Sequence, residues 1–434
     1  MKSKKKILDD REVKDVILNS ILTTTINKME NNAYCREILK NSGYYAQERP
    51  DNYDAEHFYL EKIYIGYSDK RVCPEAHCTK ESFYFLNRRQ ELENSHDGTA
   101  TRDAVYISDR MAKKIAINAL KDITKNDKKI TEFIENLEQK YSSDNNQIDY
   151  NQVYDEIKPS LEKILNNENN TKFKDKFLDI ASTEMICYTA HECSHANQMQ
   201  QGLDNGAMYT KSLHNKDDID KTVEFYYGRD ENGNFLEEPG KDSEYNKLMS
   251  ELSEQNKMHS GYGTDSINEA AVMAMAYVAV LEMNPSSEII YRVNSAYKPR
   301  LSQENSMEKI ITDLGVYEPN NPQCQQKFAR KIFATILKDF GEKSMEKAKK
   351  HDKEQGKYKI DYSNDDFVKV LSYSYRPYFF GSLEDYVSSL PTDGASKNKI
   401  LNKLKPLCVD VKHADKSTKN TGKTTIPPFK SKTR

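Results

Sequence analysis

The sequence predicts an α+β protein that is mainly helical, with a small sheet in its N-terminal part. Three observations predict it. Apolar residues recur at helical spacing over most of the chain, and aromatic, β-branched runs cluster before residue 109. The third is a content of 37% hydrophobic residues, enough to bury a core despite 31% charged ones.

Taken in order, residues 10 to 40 read as helical, and strand-like runs follow at Phe58 to Tyr67, Ser82 to Leu86 and Ala104 to Ser108. From Asp109 the period changes: Met111, Ile115, Ala116, Ala119 and Leu120 share one helical face. Further helices are expected around 128 to 141 and 150 to 166, with the polar tract Ser142 to Gln147 and the Asn-rich stretch Asn166 to Asn170 as loops. Lys172 to Gln201 reads as one long helix or two joined ones, with Gly202 as its stop. Gly228, Gly233 and Gly240 break any period over 203–241, which reads as a loop or insertion. Helices resume at Ser243 to Met258 and Ser266 to Met283, where Asn284-Pro285 ends the second. A last one, Gln325 to Lys349, carries Lys and Glu on a solvated face.

The chain thus divides into an N-terminal mixed part (1–108), a helical core (109–300) with its insertion at 203–241, a C-terminal helical part (301–410) and a tail (411–434). The tail holds one acid against seven Lys and Arg and is expected to be disordered.

With 65 basic and 68 acidic residues the formal net charge is -3, and no overall field favours nucleic acid or an anionic membrane. The longest apolar run, Ala270 to Leu281, falls short of the roughly 20 residues that span a bilayer. The basic start Met1 to Lys6 is followed by Ile7-Leu8-Asp9-Asp10-Arg11-Glu12 where a Sec-type signal needs an apolar stretch. Seven scattered cysteines do not form the paired framework of a small secreted domain. The expected location is the cytoplasm, or the exterior by an export route that needs no Sec signal. Oligomeric state is not legible.

The chemistry lies in His191-Glu192-Cys193-Ser194-His195, which matches H-E-x-x-H. On a helix, positions i and i+4 stand one above the other, so two imidazoles converge on one zinc ion at about 2.0–2.1 Å. Glu192 is offset by one residue, beside the metal, where it can take a proton from a coordinated water whose pKa zinc lowers to about 7. The flanking segment Thr183 to Ala190 lacks Gly and Pro, and Ile180, Ile186 and Ala190 are suited to pack it into a core.

The pentapeptide resembles that of zincin metallopeptidases, and Ile267-Asn268-Glu269-Ala270 resembles the Asn-Glu-Ala segment by which thermolysin-like gluzincins supply a third ligand from a second helix. The resemblance covers these two motifs only. It implies a zincin-like fold over the helical core, one catalytic zinc held by His191, His195 and Glu269, and Glu192 as general base. In thermolysin-like enzymes an Asp four residues after the ligand glutamate orients the first histidine, whereas this chain has Met273.

Read from the residues alone, the third ligand has competitors in Asp265, Glu251, Glu254, Glu282, His214 and His259. Glu269 is favoured because Ala270, Ala271, Ala274 and Ala276 allow close helix approach, and a carboxylate in such surroundings is costly unless paired or metal-bound. Asp265 reads otherwise as a helix N-cap, and Glu282 as solvent-facing. Tyr262 and His259 are candidates for stabilising an oxyanion, with Tyr209, Tyr226 and Tyr227 as alternatives. Cys187 and Cys193 read as packing thiols, and Cys73 to Cys78 lacks a second pair at zinc-finger spacing. The strand Ala104 to Ser108 is a candidate edge for an extended substrate.

The expected function is a zinc metallopeptidase acting on a protein or peptide substrate, which a bacterial effector protease would exemplify. The alternatives are a zinc hydrolase of a non-peptide amide or ester and a non-catalytic interaction protein with a degenerate motif.

Overall fold

The computed structural model describes residues 13–42, 44, 59–66, 102–143, 148–204, 229–234, 263–297, 306–351, 363 and 365–419. These are mostly helical, with one two-stranded parallel sheet, the mainly helical α+β class expected.

Helix α1 (Val16–Asn31) starts where the Asp15 carboxylate accepts the amides of Ile17 and Leu18 at 3.0 and 3.1 Å. It buries Ile17, Leu18, Ile21, Leu22 and Met29, the one-sided pattern of a helix against a core. The single helical stretch expected over 10 to 40 is in fact two, because Asn32 takes an extended backbone and caps α2 (Ala33–Asn41) through the Cys35 amide at 3.0 Å.

Strands β1 (Tyr59–Gly66) and β2 (Arg102–Ser108) pair in parallel, with Ile63 opposite Val105 and Ile65 opposite Ile107, all four buried. On the other edge of β1 the Val13 amide donates to the Ile65 carbonyl at 2.8 Å. The strand expected at Ser82 to Leu86 lies outside the described residues.

Strand β2 runs straight into α3 (Asp109–Thr124), because the Ser108 hydroxyl caps the Met111 amide at 3.2 Å. The face expected for α3 is the buried one. Helices α4 (Lys128–Lys140) and α5 (Tyr150–Leu165) are capped by Asp127 and Asp149. The tract between them is pinched by an antiparallel bridge from Ser142 to Ile148. A 3-10 turn, Glu168–Asn170, stands where a loop was expected and leads into α6 (Thr171–Asp204). This helix passes its expected stop at Gly202, since a glycine inside a helix costs only about 1 kcal/mol.

The remaining elements are α7 (Gly263–Leu281), α8 (Ser287–Tyr297), α9 (Met307–Leu314), α10 (Pro322–His351), α11 (Asp365–Ser374), α12 (Pro377–Phe380), α13 (Leu383–Ser388) and α14 (Gly394–Lys419). Proline opens α10 at the first helical position, where its missing amide costs nothing. Helix α14 continues into the segment expected to be a disordered tail: residues 411 to 419 are helical, and 420–434 lie outside the described residues. So does the helix expected at Ser243 to Met258. Within 203–241 only the end of α6 and a turn at 229–234 are described, where Asp230 accepts the Asn232 and Asn234 amides at 2.9 and 2.8 Å.

Helices α6 and α7 lie against each other; α1, α2 and α3 pack on α6, and α10 and α11 on α7. One apolar cluster extends from Val13 to Cys408 and joins the parts read from the sequence. Among the described residues no helix is long and apolar enough to cross a membrane.

Candidate metal centre

Two central helices supply the site. On α6, Ala181, Met185, Ile186, Cys187, Ala190 and Cys193 are fully buried and fix which way the helix faces. Cys187 and Cys193 are therefore packing thiols, as expected. His191 and His195, four residues apart, are the partly exposed residues of this stretch, with side chains 12% and 19% accessible. On α7, Glu269 stands in the second turn, 21% accessible, immediately before a fully buried run that begins at Ala270.

These three residues converge. Glu269 Oε1 lies 3.3 Å from His195 Nε2, and Glu269 Oε2 lies 3.8 Å from His191 Nε2. The imidazoles meet edge to face, with centroids 4.9 Å apart and planes at 77°. One donor atom from each residue falls within 4.8 Å of the other two, so the set can hold a metal ion. Ligand atoms at about 2.0–2.1 Å from a tetrahedral ion stand roughly 3.3 Å from one another, and the observed separations need only small rotations to match. Two imidazole nitrogens with one carboxylate oxygen are a donor set for a transition ion such as zinc, whereas magnesium and calcium take oxygen ligands.

Glu192 is 2% exposed, and its Oε1 lies 3.8 Å from His191 Nε2, beside the three donors. This is the offset that its sequence position implied.

Of the rivals for third ligand, Glu251, Glu254, His214 and His259 lie outside the described residues, as does Tyr262. So do the alternatives Tyr209, Tyr226 and Tyr227, and the Cys73 to Cys78 cluster. Helix α7 begins at Gly263, which puts Asp265 inside the first turn instead of at the N-cap expected for it. Glu282 is corrected outright: it is buried, accepting a hydrogen bond from Asn32 Nδ2 at 3.1 Å and another from the Tyr317 hydroxyl. Sitting just beyond the opposite end of α7 from Glu269, it closes the helix against α2 and the α9–α10 turn. Met273 is fully buried.

One group escaped sequence reasoning. Glu184, seven residues before His191 on the same face of α6, is buried and accepts from Asn118 Nδ2 of α3 at 3.0 Å and Arg292 Nε of α8 at 2.7 Å. Burial pushes its carboxyl above the usual carboxylate range, against the pull of Arg292 and Asn118. The available signal was a lone acid amid the apolar residues Ile180, Met185, Ile186 and Ala190, since such a charge requires partners.

Compared with known proteins, the chain has no significant match to a family model, a curated protein or a solved structure.

Proposed function

We propose that the chain is a zinc-dependent hydrolase that cleaves peptide bonds in a protein or peptide substrate. The observation that carries this reading is the convergence of His191, His195 and Glu269 from two helices, with the Glu192 carboxylate beside them. His191, His195 and Glu269 would hold the ion. When bound, zinc acts as a Lewis acid that lowers the pKa of a coordinated water to about 7 and polarises a carbonyl.

Glu192 then takes the proton of the attacking water and returns it to the departing amine. The partial exposure of the two histidines and Glu269 leaves a face open to substrate. Strand β2 supports a peptide as that substrate, since it packs against α6 and pairs along one side with β1. Among the described residues β2 pairs with β1 alone, and its other edge has the hydrogen-bonding pattern that an extended chain matches.

Metal analysis and a search for new protein termini after adding purified enzyme to a cell extract test the proposal, with Glu192→Gln as control. The expected result is about one zinc per chain and cleavages absent from the control. Zinc-loaded protein that yields the same termini as the control overturns peptide hydrolysis.

A further inference from the structure

Resting on the metal-centre reading, we propose that Arg292 is a positioning residue that sets the register of the histidine helix against the hairpin carrying Glu269. Arg292 uses three donors at once. Nε donates to Glu184 Oε2 at 2.7 Å, while Nη1 and Nη2 donate to Asp122 Oδ1 and Oδ2 at 3.1 and 2.9 Å. Asn118, four residues before Asp122 on α3, occupies the other Glu184 oxygen at 3.0 Å. One guanidinium therefore joins α6, α3 and α8.

The helices it joins are the relevant ones. Glu184 lies seven residues before His191, about 10.5 Å along the axis and within roughly 20° of the same face. Helix α8 follows α7 after the short turn at 282–286, so Arg292 stands on the returning arm of the hairpin whose outgoing arm carries Glu269.

Distance tolerances explain why such a grip matters. Ligand atoms must sit within about 0.2 Å of ideal separation from a metal, while a slip of one residue along a helix moves side chains roughly 1.5 Å. Next to Glu269, α7 buries small or flexible side chains, Ala270, Ala271, Met273 and Ala274, which resist a small axial offset only weakly. The Glu184–Arg292–Asp122 node is less tolerant, because a planar guanidinium holding two carboxylates loses length or alignment in its three bonds on an offset of about 1.5 Å. Buried ionic groups are best attested as devices that fix register, which is the task this position calls for.

The test uses the full chain with Glu184→Met/Arg292→Met and, separately, Arg292→Lys. Replacing the buried Glu184 together with its partner leaves no unpaired charge at that pair, and Asp122 is 16% exposed and can reach water. Zinc affinity is read by chelator competition, ligand geometry by the visible absorption of the cobalt-loaded protein, and folding by melting of the metal-free protein.

The double variant is expected to melt close to wild type, bind zinc roughly tenfold more weakly and show a shifted cobalt spectrum. Arg292→Lys keeps the charge but loses the planar fork and should fall between the two. It decides alone if the double variant does not fold. Wild-type affinity with an unchanged cobalt spectrum in the folded variants overturns this proposal and leaves the metal centre standing. A wild-type protein that takes up neither zinc nor cobalt overturns both.

Discussion

Glu269 Oε1 and His195 Nε2 lie 3.3 Å apart although 74 positions separate the two residues in the chain. The carboxylate is drawn in by the packing of α7 on α6, and its first prediction concerns the ion it would hold. Replacing His191, His195 or Glu269 by Ala should weaken zinc binding by more than about a hundredfold, since loss of a group that merely orients a ligand already costs about 10–100-fold. Competition with a zinc chelator measures it. Wild-type affinity in Glu269→Ala would remove the third ligand.

Glu192→Gln should retain zinc and thermal stability while turnover falls by about 10²–10⁴, because the side chain keeps its size and polarity but loses its basicity. Parallel measurement of metal content and hydrolysis separates this outcome from metal loss. Activity near wild type would mean that another group moves the proton.

Tyr317→Phe should destabilise the fold by about 1.5–3 kcal/mol without changing zinc stoichiometry, because it removes a donor from the buried carboxylate of Glu282. Burial, reinforced by Glu282, holds the Tyr317 phenol above its ordinary value, so the phenol keeps its proton and is the donor of the pair. Chemical denaturation measures the loss. An unchanged midpoint would show that Asn32 satisfies Glu282 by itself.

Acid should weaken the protein partly through Asp15. Burial works to raise this carboxyl, but Lys158 at 2.8 Å, the Leu18 amide and the Tyr154 hydroxyl outweigh it and hold it below the usual range. The folded state then binds this proton less readily than the unfolded chain. The contribution is complete above the unfolded value near 3.9 and is lost as pH falls through the lower folded value. Melting temperature should drop more steeply below about pH 4 in wild type than in Asp15→Asn. Superimposable profiles would show that Asp15 is not linked to folding.

Much of this arrangement was legible in the sequence wherever the determining interaction is local. The helical spacing of Met111, Ile115, Ala116, Ala119 and Leu120 announced α3, and the four-residue step between His191 and His195 placed both on one face of α6. What the sequence could not show was pairing at a distance. Glu282 read as solvent-facing because its donors, Asn32 and Tyr317, stand 250 and 35 positions away. Glu184 and Arg292, 108 positions apart, escaped notice for the same reason. Aromatic, β-branched runs marked β1 and β2 as strands, but composition says nothing about which strands pair or in which direction.

The complete burial of α7 from Ala270 to Val280 bears on the kinetics of metal exchange. Backbone amides in such a helix open to solvent only when the whole core opens, so they should be among the last in the chain to exchange with deuterium. Glu269 stands at the threshold of that slowly exchanging segment. Its carboxylate is therefore carried at the edge of a segment expected to open rarely, whether or not an ion is bound. Stripping the metal should leave deuterium uptake of α7 almost unchanged, and re-entry of zinc should proceed in a single phase proportional to zinc concentration, with no slow refolding step.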